Sequence, residues 1–222
     1  MTSSLWQTNA IALRSGEEAI LIDSPYFPDE LEMLPEMLRQ SGFDPVGLLA
    51  THGDWDHLLG RIVFPEHSLG VAESTATRIR TEPGVAQKQL RDADNQYYVH
   101  RPRPLSLGSY QPLPVPGKLD IGAEEIELYP AEGHSGDGMI LFARWCGVLV
   151  CGDYLSDVEL PTWTDKDLYR KTLDRLRPLV EAANVVIPGH GSPMPPDEAL
   201  NVLEEDIAYL DAGTTPKGRF IS

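Results

Sequence analysis

The sequence predicts an α/β fold, because short apolar runs typical of strands alternate with amphipathic segments along its 222 residues. Three segments space their apolar residues for one face of a helix, and we predict helices over residues 29–40, 168–183 and 197–210. With 41% hydrophobic residues and no linker or low-complexity tract, the chain is expected to form one domain over residues 1–222.

The predicted helices have the apolar faces expected of helices that cover a sheet. In the first of them, Ser41 and Gly42 mark the end, and the apolar side chains lie on one face: Leu31, Leu34, Met37 and Leu38. The second contains Pro178, which is expected to bend or break it. The third begins after Pro195 and Pro196.

Residues 51–57 contain four side chains that can bind metal ions, directly after an apolar run: His52, Asp54, Asp56 and His57. An extended backbone would point His52, Asp54 and Asp56 to one side and leave His57 for a second ion. Two imidazoles and two carboxylates suit zinc, iron or manganese, and the absence of thiolates is unlike a structural zinc finger. The alternative interpretation is a solvated acidic turn that contains histidines.

Three further apolar runs end in glycine, and a single ligand-type residue directly follows each glycine: His134, Asp153 and His190. Glycine allows the backbone to turn sharply and to approach a crowded site. A single histidine is more often structural, and a single aspartate is more often a helix cap or turn residue. Four strand ends of the same form in one domain nevertheless predict that these side chains meet.

The ligand-type residues, in the order in which they occur along the chain, resemble those of the metallo-beta-lactamase superfamily. The fold of that superfamily places two β-sheets between layers of helices. The resemblance covers nearly the whole chain and implies an αββα sandwich of two mixed sheets. It also implies two metal ions, one held by His52, Asp54 and His134, the other by Asp56, His57 and His190, with Asp153 bridging them.

Asp23 resembles the acid that ends an early strand in this family. There it would orient a metal ligand or the loop that carries the ligand.

Asp54 departs from the family pattern, which usually has histidine at this position. With three aspartates, two divalent ions and one hydroxide, the charges sum to zero, whereas the usual two aspartates leave a net positive charge. We therefore expect a metal-bound water to have a pKa on the order of one unit above the usual value of about 7. A carboxylate also favours iron or manganese over zinc, and the flavodiiron relatives carry glutamate here and bind two irons. Zinc is the first expectation for the two divalent ions, with iron or manganese as alternatives.

The resemblance implies a metal-dependent hydrolase, in which a water or hydroxide held by two metal ions attacks a small ester, thioester, lactone or lactam. The catalytic residues would be Asp56, Asp153 and Asp54, and either Asp153 or Asp54 could accept a proton. The alternative is a non-hydrolytic iron protein, either a diiron oxygen or nitric oxide reductase or a sulfur dioxygenase. A metal-stabilised binding module without turnover is a third possibility.

Aromatic residues close in sequence to the ligands are expected to line a substrate pocket: Tyr26, Trp55, Tyr154 and Trp163. Each of them has packing in the core as its alternative role. Residues 81–119 are the hardest to interpret, because their prolines exclude a regular helix or central strand from residues 101–104 and 112–116. We expect this segment to lie over the sandwich and to offer further pocket candidates: Tyr97, Tyr98 and His100.

The net charge of −16 argues against nucleic acid as a partner, because an acidic surface repels phosphate groups and no basic run offsets it. We expect a small-molecule substrate. The first residues form neither a signal peptide nor a membrane span, so a cytoplasmic location is expected and the oligomeric state is left open. Two cysteines, Cys146 and Cys151, are too few for a disulfide framework and are expected to be reduced.

Overall fold

Two five-stranded mixed sheets pack face to face in the computed structural model, which describes residues 1–220. In spatial order, the first sheet contains β1 (Ile11–Ser15), β2 (Glu18–Ile22), β3 (Pro45–Leu49), β4 (Leu69–Ala72) and β5 (Tyr110–Leu113). The second contains β10 (Val185–Ile187), β9 (Val148–Val150), β8 (Met139–Ala143), β7 (Glu124–Pro130) and β6 (Gly117–Ile121). Strands β2 to β5 pair in parallel, as do β9 and β10, and the other pairs are antiparallel.

Helices cover the outer faces of both sheets: α1 (Pro28–Gln40), α2 (Gly60–Val63), α3 (Glu73–Thr81), α4 (Val85–Gln96), α5 (Lys166–Glu181) and α6 (Pro196–Ala212). The predicted αββα sandwich is therefore confirmed. Pro178 lies inside α5 without ending it. The carbonyl that loses its helical partner belongs to Asp174, which is exposed, so water can replace the missing donor. No helix within residues 1–220 is both long and apolar enough to cross a membrane.

The alternation of side chains along the strands divides the apolar residues between three cores. Ile20 and Ile22 of β2 point into the space between the sheets, where they join Ile126 and Leu141. Leu21, between them in sequence, belongs to the core under the helices of the first sheet. Because successive strand residues point to opposite faces, one strand can serve two layers of the sandwich.

On the outer face of the second sheet, Phe142 and Leu149 pack against Leu173 and Leu176 of α5. The core of this face continues into α6, whose Leu203 is fully buried. The helices predicted over residues 168–183 and 197–210 therefore cover a sheet, as their apolar faces indicate.

Residues 81–119 are more regular than the sequence indicates, because α4 occupies their first part. The helix begins after Gly84, which has a left-handed backbone (φ 81°). Within α4, Leu90 and Asp94 are the buried residues, so the helix lacks the apolar face by which a covering helix is recognised. Pro112 lies in β5, an edge strand, where a missing N–H is tolerated.

A buried polar network fixes α4 to the rest of the fold. The carboxylate of Asp94 accepts a hydrogen bond from the hydroxyl of Tyr26 at 2.9 Å and two from the guanidinium of Arg101, each also at 2.9 Å. Arg101 also donates to the carbonyl of Tyr26 at 3.1 Å. Charge-assisted hydrogen bonds of this kind are strong and directional, so they fix the position of α4.

Candidate metal centre

The ligand-type residues of four separate segments meet at one edge of the sandwich. Those segments follow β3, β7, β9 and β10, and each one turns as it leaves its strand. Gly189, directly after β10, shows why glycine is needed there. A Cβ on this residue would lie 2.3 Å from Oδ1 of Asp153 and 3.0 Å from Cε1 of His57.

The first group of donors consists of His52, Asp54, His134 and Asp153. Nε2 of His52 lies 3.3 Å from Oδ2 of Asp54 and 3.5 Å from Oδ2 of Asp153. Nε2 of His134 lies 3.4 Å and 3.2 Å from the same two oxygens. Ligands of a tetrahedral ion with bonds of about 2.0 to 2.1 Å are separated by about 3.3 Å, so the spacing suits a small divalent metal.

The second group consists of Asp56, His57 and His190, and it adjoins the other oxygen of Asp153. Oδ1 of Asp153 lies 3.1 Å from Nε2 of His57 and 3.5 Å from Nε2 of His190. Oδ2 of Asp56 lies 3.3 Å from Nε2 of His190 and 3.7 Å from Nε2 of His57. Asp153 thus faces both groups, one with each oxygen.

The sequence predicts an extended backbone over residues 51–57, with His52, Asp54 and Asp56 on one side. The structure differs from this prediction. Residues Trp55–His57 form a short 3-10 helix. This turn carries Asp56 away from His52 and Asp54 and places it beside His57. The division into two groups follows the one that the family resemblance implies.

Each imidazole is held through Nδ1, which leaves Nε2 directed at the centre. Nδ1 of His57 lies 2.9 Å from Oδ2 of Asp23, and Nδ1 of His52 lies 3.2 Å from the hydroxyl of Thr51. In the other two histidines, Nδ1 faces a backbone carbonyl: that of Thr162 at 3.1 Å for His134, and that of Trp6 at 3.0 Å for His190. Such outer partners fix the ring orientation of metal-binding histidines.

Asp23 also holds the first loop. Its Oδ1 accepts a hydrogen bond from the backbone N–H of Thr51, and its Oδ2 accepts one from the Thr51 hydroxyl, both at 2.8 Å.

Three atoms at the centre are buried and have no hydrogen-bond partner within the described residues: Nε2 of His52, Nε2 of His57 and Oδ1 of Asp153. A buried polar atom without a partner costs about 1 to 3 kcal/mol. Metal ions would satisfy all three atoms at once, so the residues present fit the ions that the sequence implies.

Asp54 has a cationic partner that the sequence did not reveal. Its Oδ1 lies 2.7 Å from the guanidinium of Arg78, which extends from α3 and also donates to Oδ1 of Asp137 at 2.8 Å. Asp137 in turn accepts a hydrogen bond from the backbone N–H of Gly53 at 2.8 Å. The charge sum made from the sequence omitted Arg78. Because its positive charge is shared between Asp54 and Asp137, it offsets the charge of Asp54 in part, and we expect a smaller rise in the pKa of a metal-bound water than the sequence indicates.

The cavity beside the centre has a volume of about 380 Å³. Among its lining residues are five of the seven ligand candidates: Asp54, Asp56, His134, Asp153 and His190. The other lining residues come from the N-terminal segment, the first metal loop, α4 and the segment after β9: Trp6, Trp55, Gln89, Asp92, Ala93, Gln96, Tyr97 and Glu159. The polar sequence of α4 now has a reason, since one face of this helix forms the cavity wall.

Three of the four predicted pocket residues lie elsewhere. Trp55 lines the cavity, but Tyr26 is fully buried and bonds to Asp94 instead. The hydroxyl of Tyr154 donates to the carbonyl of Glu132 at 2.7 Å and accepts from the N–H of His134 at 3.1 Å. Trp163 packs edge-on against two other tyrosines outside the cavity, Tyr169 and Tyr209.

These residues were predicted from proximity in sequence, which does not give side-chain direction. Tyr154 instead accepts a hydrogen bond from the backbone of His134, and Tyr26 donates one to Asp94 of α4. Of the candidates in residues 81–119, Tyr97 lines the cavity, whereas His100 is exposed and Tyr98 is 96% exposed.

Glu159, like Arg78, belongs to the site but is not identified from the sequence. The Glu159 side chain is 10% exposed, and its Oε1 lies 3.8 Å from Nδ1 of His190. Burial raises the pKa of Glu159 to about 7. No local pattern marks a lone glutamate on an irregular segment, so only the folded arrangement reveals it.

A family model described as the metallo-beta-lactamase superfamily matches residues 4–190. The chain belongs to the metallo-beta-lactamase superfamily. The match includes all seven candidate ligands of the centre.

Solved structures of the superfamily share this fold at low sequence identity. A metallo-beta-lactamase family protein of Thermus thermophilus, TTHA1429, is 20% identical with a TM-score of 0.68, over 92% of this chain and 75% of that one. TTHA1623, in a di-iron-bound form, is 22% identical with a TM-score of 0.66, over 91% of this chain and 96% of that one. The B3 metallo-beta-lactamase BLEG-1 is 19% identical with a TM-score of 0.64, over 90% of this chain and 95% of that one.

The carboxylates of this superfamily site hold protons on the imidazoles when no metal is bound. Burial acts to lower the pKa of His134, but hydrogen bonds to Asp153 and Asp54 outweigh it and raise the pKa to about 10. Burial likewise opposes protonation of His57 and His190, and the charge of Asp153 raises the pKa of both rings. Metal ions bind neutral imidazole, so they must displace these protons.

We predict that metal binding releases protons and strengthens as the pH rises. Because the His134 pKa is raised to about 10, the ring is protonated at neutral pH, and each increase in pH removes protons that compete with the metal. Zinc titrations in buffers of different ionisation enthalpy, followed by calorimetry, should show release of at least one proton per chain near pH 7. A heat that is independent of the buffer would contradict this prediction.

We also predict that Asp153→Asn loses metal from both groups. The amide nitrogen cannot ligate an ion, so one group loses a donor and the negative charge shared by both groups disappears. Elemental analysis of protein purified without chelator should show the metal content falling from two ions per chain to one or none. Asp120→Asn, at an exposed residue of β6, is the matched control and should retain the native content.

Proposed function

We propose that this protein is a metal-dependent hydrolase that cleaves a small ester, thioester, lactone or lactam. The observation that carries the proposal is that two adjoining groups of metal ligands, joined through Asp153, open onto one cavity of about 380 Å³. A cavity of this volume suits a small organic molecule. When bound, two divalent ions would lower the pKa of a water molecule and polarise the substrate carbonyl.

The three aspartates serve this function as ligands. Both oxygens of Asp153 face imidazole nitrogens, and the two oxygens of Asp54 face Arg78 and the histidines His52 and His134. We therefore assign Asp54 and Asp153 to binding the ions, as we do Asp56, rather than to accepting a proton.

Zinc is the metal that we propose first. Four imidazoles and three carboxylates are borderline ligands that also accept iron and manganese, and the carboxylate of Asp54 increases the preference for those ions. Pairing with Arg78 reduces the charge that Asp54 brings to the site, which favours retention of zinc.

A non-hydrolytic iron protein is the second candidate. It is favoured by the carboxylate of Asp54 in the first ligand group and by the fold shared with TTHA1623, which was solved in a di-iron-bound form. Such a protein would consume oxygen, nitric oxide or a persulfide and would hydrolyse none of the carbonyl compounds.

Metal analysis with activity assays distinguishes the two candidates. Protein purified without added metal should contain zinc and should hydrolyse at least one member of a panel of lactones, thioesters, lactams and aryl esters. Asp153→Ala and His190→Ala should lose turnover together with metal. Iron in the native protein, replaced by zinc in Asp54→His, together with oxygen consumption and no hydrolysis, would favour the iron protein. Hydrolysis that persists in both alanine variants without metal would refute the hydrolase.

The pairing of Asp54 with Arg78 predicts the pH profile of hydrolysis. Arg78→Met removes a positive charge next to a ligand, so the pKa in the profile of kcat/KM should rise by on the order of one unit. Arg80→Met is the matched control, because Arg80 lies on the same helix and is exposed. An unchanged profile in Arg78→Met would mean that its charge does not act on the reacting water.

A further inference from the structure

We infer that the substrate of this enzyme carries a positively charged nitrogen group close to the bond that is cleaved. The inference rests on the proposed function and concerns the part of the cavity wall that the metal ligands do not form. That wall combines aromatic rings with carboxylates.

Three aromatic side chains form a continuous cluster on the wall: Trp6, Trp55 and Tyr97. The ring of Trp6 lies edge-on to both others, with centroids 5.6 Å from Trp55 and 5.3 Å from Tyr97. Both tryptophans are half-buried, and Tyr97 is 38% exposed, so their surfaces remain open to a ligand. The faces of such rings attract cations, and tryptophan attracts them most strongly.

The backbone of the cluster is strained. Trp6 has φ 52° and Gln7 has φ 51°, a conformation that bulky residues rarely adopt. This turn places the carbonyl of Trp6 against Nδ1 of His190 and its ring on the cavity wall. Strain of this kind persists where the surrounding structure requires it and is concentrated at functional sites.

Two carboxylates that are not metal ligands also line the cavity, Asp92 and Glu159. The Glu159 side chain is nine-tenths buried, and its Oε1 has no hydrogen-bond partner within residues 1–220. Asp92 pairs with Lys88, but the lysine side chain is 70% exposed and is not part of the cavity wall.

No lysine or arginine of the described chain lines the cavity, so a substrate carboxylate or phosphate would contact no cationic side chain there. The net charge of −16 adds a field that attracts cations and repels anions. A neutral apolar group would contact the rings but would gain no attraction from the two carboxylates of the wall. A cationic nitrogen satisfies both the rings and the carboxylates.

Binding measurements test the inference without requiring turnover. The probes are choline, its neutral analogue in which carbon replaces nitrogen, and tert-butylacetate as an anion of similar size. A quaternary nitrogen cannot ligate a metal, and choline and its neutral analogue share the same hydroxyl, so the difference between their affinities reports the charge at the wall. By calorimetry and tryptophan fluorescence on metal-loaded protein, choline should bind about tenfold more tightly than its neutral analogue. The preference should shrink as salt is added.

Two variants locate the effect. Tyr97→Leu and Glu159→Gln should each reduce the preference for choline by about threefold or more, with metal content unchanged. Tyr98→Leu is the matched control, since this neighbouring residue is 96% exposed and lies outside the cavity, and it should keep the full preference.

Equal affinity for choline and its neutral analogue, or a preference that survives both variants, would overturn the inference. If neutral esters are hydrolysed while choline shows no preference, the hydrolase stands and the cationic substrate does not. Selective binding of choline without hydrolysis of any ester would support the cation site and refute the hydrolase.

Discussion

The carboxylate of Asp153 is the interaction on which the rest of the centre depends. One of its oxygens faces the imidazoles of His52 and His134, and the other faces those of His57 and His190. Four buried or half-buried imidazoles from three strand ends therefore converge on a single carboxylate. The distances of 3.1 to 3.5 Å between their Nε2 atoms and the oxygens of Asp153 suit small metal ions.

The surrounding fold fixes each imidazole ring through a contact at Nδ1, and these contacts keep the donors together. The backbone carbonyls of Trp6 and Thr162 hold two imidazoles, and the side chains of Asp23 and Thr51 hold the other two. These partners come from widely separated parts of the chain, so the geometry of the centre is a property of the whole sandwich. Gly189 contributes by having no side chain, because a Cβ there would occupy the position of Asp153 Oδ1.

A separate set of elements builds the cavity. The N-terminal turn at Trp6 supplies aromatic surface, and α4 supplies a polar wall that lies against the short helix of the first metal loop. The network of Asp94, Tyr26 and Arg101 holds α4 in place from the side away from the cavity. The metal centre and the cavity wall share Trp6, whose carbonyl faces His190 and whose ring lines the cavity, whereas α4 is held in place separately.

The sequence by itself determined the α/β class and the seven ligand candidates. Both follow from local patterns, apolar runs that are followed by a donor, and the resemblance of those donors to the superfamily implied the αββα sandwich. The tertiary structure decided which residues meet across the chain. Arg78 pairs with Asp54 from a distant helix, Glu159 enters the cavity from an irregular segment, and α4 is polar because it borders a cavity. Tyr26 and Tyr154 are adjacent in sequence to ligand segments but point into the core, since side-chain direction depends on packing that no local pattern records.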